Sequence, residues 1–538
     1  MKKLVFVTGG VCSSLGKGIT ASSIGALLES RGLSVRMMKI DPYLNVDAGT
    51  MSPYQHGEVY VTDDGGETDL DLGNYARFTN APISKANSIT TGQIYRDVIN
   101  KEREGRFLGR TVQVVPHITD EIKSRILALG KEPDVDVTIV EIGGTVGDME
   151  SIPFLEAARQ LIHEQGRSDA VSVHVTLVPE VAGGELKTKP TQHSVKELQE
   201  VGIQPDVLVC RSDVRLDEAL RRKLSAFTNV EYEGVISAYD APTTIYELPL
   251  VFHEQKLDEF LLRKMNVESR HANLSAWTDV VRRIREPKRS LTIGMVGKYM
   301  ELGDSYKSVY AALQHGGIAN DAAVDIRRVD SGALEEPGAD PAVILAGIDA
   351  ILVPGGFGQR GINGMVAAAR YAREQGLPYL GICLGMQIMA IEWGRNVLGW
   401  ADADSTEFNQ DTPHPVVSLL ADQVNIKHFG GTMRLGSNES IFAKSSHAAV
   451  AYGSDTVSER HRHRYEFTNQ YRSDYERTGM KIAGTTRDGE LVECLEWPDH
   501  PWGVGVQFHP EFKSRPVAPH PLFSAFIKAG LERSAARA

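Results

Sequence analysis

A cysteine set between glycines, in the run Gly381-Ile382-Cys383-Leu384-Gly385-Met386-Gln387, constrains the fold of this chain most. The apolar segment Leu377–Leu380 precedes it, and a helical pattern follows through Ala390. A nucleophile at a strand-to-helix turn needs small neighbours, because the backbone bends sharply there. A helix N-terminus also favours the thiolate form of a cysteine. The sequence therefore predicts an α/β unit whose sheet presents a reactive thiol.

A second run, Gln507-Phe508-His509-Pro510-Glu511, supplies an imidazole and a carboxylate. In nucleophilic catalysis a histidine takes the proton of the nucleophile, and an acidic residue orients that histidine. A buried structural cysteine is the alternative interpretation, and the glycine-flanked setting of Cys383 argues against it. We interpret Cys383, His509 and Glu511 as a catalytic triad.

The bulk composition limits the classes of function. A chain of 538 residues, 42% of them hydrophobic, is long enough for two large domains. Its net charge of −12 argues against general nucleic-acid binding, and no apolar stretch reaches the length of a membrane span. Four cysteines lie far apart without a C-x-x-C pair, which predicts a cytoplasmic protein without a zinc knuckle.

Short β-rich runs alternate with helical runs in the first half, which predicts a mainly parallel sheet covered by helices. The predicted strands are Lys3–Val7, Val35–Ile40, Val135–Ile142, Val171–Val178, Val207–Cys210 and Gly234–Ala238. We place a first domain at residues 1–265, a helical linker at 266–290 and a second α/β domain at 291–538. The Ala/Arg-rich end beyond about residue 530 is predicted to fray.

A glycine-rich loop with Lys17 near its end follows the first strand, at Gly9–Thr20. Backbone N–H groups of such a loop and its lysine can bind nucleotide phosphates. The spacing is not that of a Walker A motif, and Gly18 stands where a Ser or Thr hydroxyl normally contacts magnesium. A structural glycine turn is the alternative; if the loop binds phosphate, magnesium must find its oxygen ligands elsewhere.

Two groups of carboxylates are candidates for that role. The run Asp69-Leu70-Asp71 lies in an acidic stretch, and Glu141 ends the buried-looking run Val137–Val140. A solvated acidic loop and a glutamate at a strand end explain them equally well. The Lys187–Ser194 segment, interpreted as a loop, could hold a second triphosphate with its two lysines, or could be an ordinary exposed loop.

Taken together, these motifs resemble those of the CTP synthase family, in one order along nearly the whole chain. The matching segments are the glycine-rich loop, Asp41–Asp47, Gly49–Pro53, Gln55–Val59, Glu67–Gly73, Glu141–Asp148, Lys187–Ser194 and the Cys383 and His509 runs. The resemblance implies a P-loop-like, mainly parallel-sheet synthase domain followed by a class I glutamine amidotransferase α/β domain.

The resemblance further implies synthesis of CTP from UTP, ATP and L-glutamine. ATP would phosphorylate O4 of UTP, ammonia from glutamine would attack C4, and phosphate would leave. It also implies Mg²⁺ as cofactor, activation by GTP, inhibition by CTP and a homotetramer; some members of the family assemble into filaments. Nucleic-acid and membrane partners are not expected.

The resemblance assigns roles to residues by position. The residues implied to bind ATP are Ser14, Leu15, Gly16, Lys17, Gly18, Ile19, Asp71, Tyr239, Asp240 and Ala241. Those implied to bind UTP or CTP are Ser13, Asp148, Met149, Glu150, Lys187, Thr188, Lys189, Pro190, Thr191, Gln192 and Lys223. Those implied to bind glutamine are Gly356, Leu384, Gly385, Met386, Gln387, Glu407 and Arg464. The implied magnesium ligands are Asp71 and Glu141.

The sequence departs from the family pattern at three places. Cys12 replaces a common valine, and Tyr239-Asp240-Ala241 replaces Lys-Asp-Val beside the adenine. The stretch 421–429 is shorter than in many relatives, just before the segment Gly430–Gly436, which resembles the lid through which GTP acts.

Two other functions compete with CTP synthesis. One is a different ATP-dependent amidotransferase, of the cobyric acid or dethiobiotin-related type; the Lys187–Gln192 and Glu67–Gly73 segments favour CTP synthase over it. The other is a nucleotide-sensing scaffold or filament protein without catalysis, which the presence of Cys383, His509 and Lys17 argues against.

Overall fold

The structure is a computed structural model that describes residues 2–181, 183–240, 243–298, 300–301, 303–420 and 432–537. The chain divides into two compact units. The first unit comprises Met1–Ala48 and Asp71–Arg282, and the second comprises Gly49–Leu70 and Arg283–Ala538.

The described part of the first unit contains a seven-stranded sheet in which every pairing is parallel. Its strands, in spatial order, are Val235–Tyr239, Val207–Ser212, Ala170–Leu177, Lys3–Gly9, Val137–Ile142, Val35–Asp41 and Ser88–Thr90. Its helices are Lys17–Ser30, Asp71–Phe78, Thr91–Arg103, Thr119–Gly130, Ile152–Gln165, Lys189–Glu200, Glu218–Thr228, Leu248–Glu254, Leu257–Met265 and Ser275–Arg285. The central strands are buried along their length, as expected for a parallel sheet with helices on both faces.

This topology brings the glycine-rich loop and Glu141 to the same edge of the sheet. The first strand, Lys3–Gly9, pairs in parallel with Val137–Ile142, and Val7 lies opposite Glu141. The loop leaves the carboxyl end of the first strand and enters the helix Lys17–Ser30. In open α/β sheets this edge is the usual position of a ligand site.

The predicted loop at Lys187–Ser194 is wrong beyond Thr188, because a helix spans Lys189–Glu200. Pro190 lies in its first turn. The N–H groups of a first turn have no acceptor within the helix, so proline costs no hydrogen bond there, and its fixed φ suits the helix. Ser194, Val195 and Leu198 give the helix a buried face.

The second unit contains a nine-stranded mixed sheet among its described residues. The strands, in spatial order, are Ala322–Asp330, Arg289–Gly297, Ala350–Val353, Tyr379–Ile382, Gly503–Val506, Val492–Glu496, Lys481–Thr485, Arg434–Phe442 and Thr456–His463. The first five are parallel and the remaining pairings are antiparallel. Helices of this unit are Pro53–His56, Lys307–Ala319, Pro341–Ile344, Ile362–Gln375, Leu384–Asn396, His447–Tyr452, Arg472–Arg477 and Pro521–Arg537.

The carboxy-terminal end is helical to Arg537, so the predicted frayed tail is wrong. Alanine, arginine and glutamate are strong helix formers. The helix is also anchored, because Arg537 pairs with Asp349 at 3.0 Å and Arg533 donates to the carbonyl of Gly376.

Helical structure in the linker, as predicted, spans Ser275–Arg285. Trp277 of this helix stacks on Phe78 of the first unit, with ring centroids 5.3 Å apart. The boundaries at 265 and 290 remain a prediction about folding domains. By contacts alone, residues up to Arg282 group with the first unit and 49–70 with the second.

Among the residues that the structure describes, we find no helix with both the length and the apolar character needed to span a bilayer.

Candidate functional site

Cys383 lies at a strained turn between the strand Tyr379–Ile382 and the helix Leu384–Asn396. Its φ is +52°, a backbone conformation that residues other than glycine rarely adopt. A Cβ atom on Gly381 would lie 2.5 Å from the backbone of Gly385, and one on Gly385 would lie 2.1 Å from the carbonyl oxygen of Val353. Both flanking glycines are therefore required, as the sequence indicates.

The Cys383 side chain is buried, with 3% of its surface exposed. Its Sγ lies 3.9 Å from the carbonyl oxygen of Arg462, to which the thiol donates. On another side, Nε2 of Gln507 donates to Sγ at 3.6 Å. The sulfur therefore has one neighbour suited to its protonated form and one suited to the thiolate.

His509 and Glu511 form the orienting pair that the sequence predicts. Nδ1 of His509 lies 2.7 Å from Oε1 of Glu511, which leaves Nε2 as the ring nitrogen for proton transfer. Burial opposes a charge on this ring, but Glu511 and Cys383 outweigh it and raise the pKa of His509 to about 10. A Cβ on Gly355 would lie 2.9 Å from Cε1 of His509 and 3.7 Å from Cβ of Cys383, so Gly355 passes close to both.

Lys298 and Glu407 hold the loop after Gly356, a residue whose backbone N–H the family resemblance implies would bind the oxyanion of the reacting amide. The fully buried ammonium of Lys298 donates to the carbonyl oxygens of Phe357, at 3.2 Å, and Gly358. Glu407 accepts the N–H of Gly358 at 2.7 Å. Burial lowers the pKa of Lys298 to about 8, although Glu407 opposes the shift. A buried cation bound mainly to carbonyls has a desolvation penalty, which suggests that it fixes the loop for function.

For the glutamine hydrolysis that the family resemblance implies, we expect Lys298→Met to lower kcat by about 10- to 100-fold, because a hydrogen bond to a charged group is worth about 1.5–3 kcal/mol. The free energy of unfolding should stay unchanged or rise, since the substitution removes a buried charge. Steady-state glutaminase kinetics and urea unfolding measure the two effects. Lys288→Met, at an exposed lysine of the same unit, is the matched control. Full activity in Lys298→Met would contradict the positioning role.

The structure brings together only part of the predicted glutamine-binding set. Gly356 lines the same pocket as Cys383 and His509. Leu384, Gly385, Met386 and Gln387 form the first turn of the helix after Cys383 and are buried. Glu407 contacts the oxyanion loop at Gly358. Arg464 donates to the hydroxyl of Thr432 at 3.0 Å, and its contact with glutamine stays a prediction; Arg462 lines the pocket.

A segment that sequence reasoning missed also lines this pocket. Glu58 and Val59 face it, more than 300 residues before Cys383 in the chain. Glu58 accepts the backbone N–H of Ser308 at 3.1 Å, and Glu67 pairs with Arg462 at 2.9 Å. These residues belong to conspicuous motifs, but no local signal links them to a glutaminase.

Arg460 anchors the tip of the same segment. It pairs with Asp63 at 2.9 Å and donates to the hydroxyl of Tyr60 at 2.7 Å. Arg460 and Arg462 alternate along the strand Thr456–His463, so one face of that strand holds the segment at two points.

The glycine-rich loop of the first unit has the backbone shape of an anion site. Val11, Ser14 and Gly16 have φ values of +79°, +59° and +85°. Alternating left-handed residues turn successive N–H groups toward a common point. Lys17 donates to the carbonyl of Gly144 at 2.8 Å. Burial lowers the pKa of Lys17, although the carboxylate of Glu141 opposes this.

The two predicted metal ligands lie beside this loop. A Cβ on Gly18 would lie 2.5 Å from Oδ1 of Asp71 and 3.4 Å from Oε2 of Glu141, so both carboxylates approach the same glycine. Lys39 pairs with Asp71, and its Nζ lies 3.8 Å from Glu141. Burial raises the pKa of Glu141 to about 7, although Lys39 opposes the shift.

The carboxylates of Asp71 and Glu141 thus lie beside the glycine-rich loop. Such a pair suits magnesium, which usually binds one or two protein carboxylates together with water and phosphate oxygens. The described ranges contain no cluster of three or more His, Cys, Asp or Glu arranged for a metal. A bound Mg²⁺ would therefore take part of its coordination from nucleotide and water.

The predicted UTP and CTP residues lie in four separate segments of the first unit: residue 13, residues 148–150, residues 187–192 and residue 223. Asp148 accepts the N–H of Thr145 at 2.9 Å, and Met149 is 82% exposed. Lys187 pairs with Glu185 at 2.6 Å. Four of these residues are exposed: Ser13, Glu150, Lys189 and Lys223. Another four lie at the start of the helix Lys189–Glu200: Thr188, Pro190, Thr191 and Gln192. Their role in nucleotide binding stays a prediction.

Tyr239 ends a strand, and Asp240 after it pairs with Arg211 at 2.6 Å. Ala241 and the shortened stretch within 421–431 lie outside the described residues. The adenine contacts therefore also remain a prediction.

His174, another residue without a sequence signal, links the strand Lys3–Gly9 to the helix Lys189–Glu200. Its Nδ1 lies 2.9 Å from the Thr8 hydroxyl, and its Nε2 lies 2.7 Å from the Ser194 hydroxyl. Burial lowers the pKa of His174 to about 3, so the ring is neutral at pH 7. A Cβ on Gly10 would overlap the Ser194 oxygen, so the helix Lys189–Glu200 packs directly against the phosphate loop.

Comparison with protein families matches both halves of the chain. Residues 3–267 match the family model described as CTP synthase N-terminus, and residues 301–529 match that of glutamine amidotransferase class-I.

Full-length relatives are similar over nearly the whole chain. The CTP synthase of Desulfitobacterium hafniense is 54% identical over 532 residues, covering 99% of each chain. That of Thermosynechococcus vestitus is 55% identical, covering 99% of this chain and 98% of the relative. Among solved structures, the glutaminase domain of Trypanosoma brucei CTPS with bound acivicin is 42% identical. It covers 45% of this chain and 94% of that domain, with a TM-score of 0.43.

Proposed function

The chain belongs to the CTP synthase family, and from this premise we propose how its residues use glutamine nitrogen to convert UTP to CTP. The observation that carries the proposal is the strained Cys383 turn with the His509–Glu511 pair beside it. A reactive-cysteine turn of this kind is suited to opening a carboxamide.

In the glutaminase reaction, the proton of Cys383 is held by His509, whose raised pKa favours this transfer, and the thiolate attacks the side-chain amide of glutamine. The backbone at Gly356 offers an N–H to the oxyanion, and such donors contribute about 3–4 kcal/mol of transition-state stabilisation. His509 then gives its proton to the departing nitrogen, and water hydrolyses the glutamyl thioester. Glu407 and Arg464 are proposed to position glutamine. A glutamine α-carboxylate needs a forked cation, which favours arginine for that role.

In the synthase reaction, the loop Ser14–Ile19 holds the ATP phosphates. Lys17 neutralises charge on the transferring phosphoryl group, which moves to O4 of UTP. Ammonia then adds at C4 and phosphate departs. Ser13, Lys223 and the Lys187–Gln192 segment are proposed to hold UTP, and Tyr239–Ala241 the adenine of ATP.

Asp71 and Glu141 would hold Mg²⁺ in this proposal. Bound there, the ion would supply positive charge that offsets the negative charge of the nucleotide phosphates. The protein itself orients the carboxylates: the Tyr75 hydroxyl donates to Glu141, and Asn74 donates to Asp71 at 3.1 Å.

We expect Asp71→Asn to abolish CTP formation with either glutamine or ammonia, because one of two protein charges for the metal is lost. Titration with Mn²⁺, followed by electron paramagnetic resonance, should show weaker metal binding by at least about tenfold. Asp69→Asn is the matched control, from the same acidic run but outside the first unit. Equal loss in both variants would reject the assignment to Asp71.

Regulation and assembly are further parts of the proposal. CTP is expected to inhibit by overlapping the UTP site, with Asp148, Met149 and Glu150 at its cytosine side. GTP is expected to stimulate glutamine hydrolysis through the segment Gly430–Gly436. Exposed apolar side chains on the first unit, including Met149 and Leu108, support a homotetramer, and filament assembly is compatible with activity. Four free cysteines support a reducing, cytoplasmic setting.

The deciding experiment follows UTP absorbance as CTP forms, with ATP and either glutamine or ammonia, with and without GTP. CTP formation with both nitrogen donors supports the proposal. Glutamine hydrolysis without amination of UTP from any nitrogen source would overturn it and favour another ATP-dependent amidotransferase. Nucleotide binding without any turnover would favour the sensing scaffold.

A further inference from the structure

Gln507 is a buried amide whose side chain reaches the Cys383 sulfur. It is fully buried, and its Nε2 lies 3.6 Å from Sγ. Its backbone N–H is bound by the carbonyl of Glu493 at 3.0 Å, so the residue is fixed at the end of the strand Gly503–Val506. The triad described above makes no use of this contact.

A second amide fixes the direction of the first. Nε2 of Gln387 donates to the carbonyl of Tyr465 at 2.9 Å. Because a carbonyl oxygen only accepts hydrogen bonds, the group of Gln387 that faces it must be the NH₂ group. The same nitrogen lies 3.4 Å from Oε1 of Gln507. Since the oxygen of Gln507 faces Gln387, its NH₂ group must face Cys383. A series of oriented hydrogen bonds therefore connects the Tyr465 carbonyl, Gln387, Gln507 and the Cys383 sulfur.

This direction matters because the other neighbour of the sulfur favours the opposite protonation state. The carbonyl of Arg462 accepts a hydrogen bond from a thiol but repels a thiolate. When the proton moves from Sγ to Nε2 of His509, the contact with Arg462 is lost and the donor on Gln507 gains an anionic acceptor. Hydrogen bonds to charged acceptors are about twice as strong as those between neutral groups.

Other charged or titratable side chains also lie around the sulfur. Glu58, Tyr306, Arg462, His509 and Glu511 line its pocket. The neighbouring elements also carry Tyr379 on Tyr379–Ile382, Glu392 and Arg395 on Leu384–Asn396, Arg434 and Glu439 on Arg434–Phe442, Glu459, Arg460, His461 and His463 on Thr456–His463, and Glu493, Cys494 and Glu496 on Val492–Glu496. Burial lowers the pKa of His463 to about 3 and that of His461 well below its ordinary value. Both rings are therefore neutral at pH 7. Glu493 is paired with Arg434 at 2.7 Å.

We propose that Gln507 is a further catalytic residue of the glutaminase, donating a hydrogen bond that stabilises the Cys383 thiolate, and that Gln387 positions its amide. This inference rests on the proposed role of Cys383 as nucleophile. It gives Gln387 a function inside the protein, distinct from the glutamine contact implied by the family resemblance.

The test measures alkylation of Cys383 by iodoacetamide as a function of pH, with the site identified by mass spectrometry. Gln507→Met keeps the length of the side chain and removes the donor. We expect its alkylation midpoint to rise by about one to two pH units and kcat for glutamine hydrolysis to fall about 10- to 100-fold. Gln507→Glu should shift the midpoint further, because its carboxylate also repels the thiolate.

Further variants separate this role from packing. Gln387→Met should give a smaller shift in the same direction, since Gln507 keeps its donor but loses the group that orients it. Gln314→Met, at an amide that donates to the Val324 carbonyl elsewhere in this unit, should leave the midpoint unchanged. Thermal unfolding of each variant verifies that it is folded.

An unchanged midpoint in folded Gln507→Met, even with reduced kcat, would show a packing role only and overturn the inference. A larger shift in Gln507→Met than in Gln507→Glu would also overturn it. Failure of the proposed function would give a different result. If Cys383 were not the nucleophile, wild-type protein fully alkylated at Cys383 would still hydrolyse glutamine.

Discussion

Cys383→Ala should lose glutamine-dependent CTP formation by at least about 10³-fold while retaining ammonia-dependent formation. The substitution removes the proposed nucleophile, without which the covalent intermediate cannot form. Ammonia added to the medium bypasses this step, because the proposed phosphate loop and metal carboxylates lie in the other unit. The backbone strain is unchanged, since alanine meets the same difficulty as cysteine at a φ of +52°.

The measurement compares initial rates of CTP formation with glutamine and with ammonium chloride at a pH where free ammonia is abundant. Cys494→Ala is a matched control, because Cys494 is also buried in the second unit but lies away from the pocket. If folded Cys383→Ala fails with both nitrogen donors, the division of labour between the two units is wrong.

Much of the geometry of both candidate sites could be predicted from sequence because it depends on the local backbone. The Cys383 turn requires Gly381 and Gly385 within four residues, and His509 and Glu511 are two residues apart. The phosphate loop likewise combines its glycines and Lys17 in one short run between a strand and a helix. Such sites carry their own signature, whatever the rest of the fold does.

The residues that were missed depend on contacts distant in sequence. Lys298 is an unremarkable lysine after a strand, and only the fold shows it buried against the carbonyls of Phe357 and Gly358. Gln507 belongs to the predicted His509 motif. The direction of its amide, however, depends on Gln387 and on the carbonyl of Tyr465. Pattern alone does not give the polarity of a buried network.

The segment Gly49–Leu70 shows the same limit on a larger scale. Its motifs resemble those of the synthase, and residues 3–267, which include it, match the family model of the CTP synthase N-terminus, so the domain boundaries stay a prediction. In the structure, Tyr60 and Asp63 contact Arg460, and Glu67 pairs with Arg462, so the segment packs with the second unit. Ion pairs between partners nearly 400 residues apart leave no periodic signal in the sequence.

Lys17→Ala should stop CTP formation with both glutamine and ammonia, by at least about 10²-fold, while glutamine hydrolysis continues. In the proposed function Lys17 is the cation of the phosphate-binding loop, so its loss would remove charge stabilisation from phosphoryl transfer. Its packing makes the role specific: a Cβ on Gly9 would lie 2.7 Å from Cδ of Lys17, and Nζ is held by the Gly144 carbonyl. Because the stem is closely surrounded, we expect Lys17→Arg to restore little activity even though it keeps the charge.

A second substitution tests the neighbouring metal carboxylates without touching the cation. Gly18→Ala would place a methyl group 2.5 Å from Oδ1 of Asp71, so we expect it to weaken Mn²⁺ binding as well as both modes of synthesis. Lys17→Ala, in contrast, should keep Mn²⁺ binding but lose affinity for ATP, measured by calorimetry. Gly105→Ala, at an exposed turn of the same unit where an added Cβ meets no atom within 4 Å, is the control for a glycine replacement that approaches no carboxylate. Ammonia-dependent synthesis that persists in Lys17→Ala would reject the assigned role, because an enzyme able to phosphorylate UTP without this cation must neutralise the phosphates with other groups.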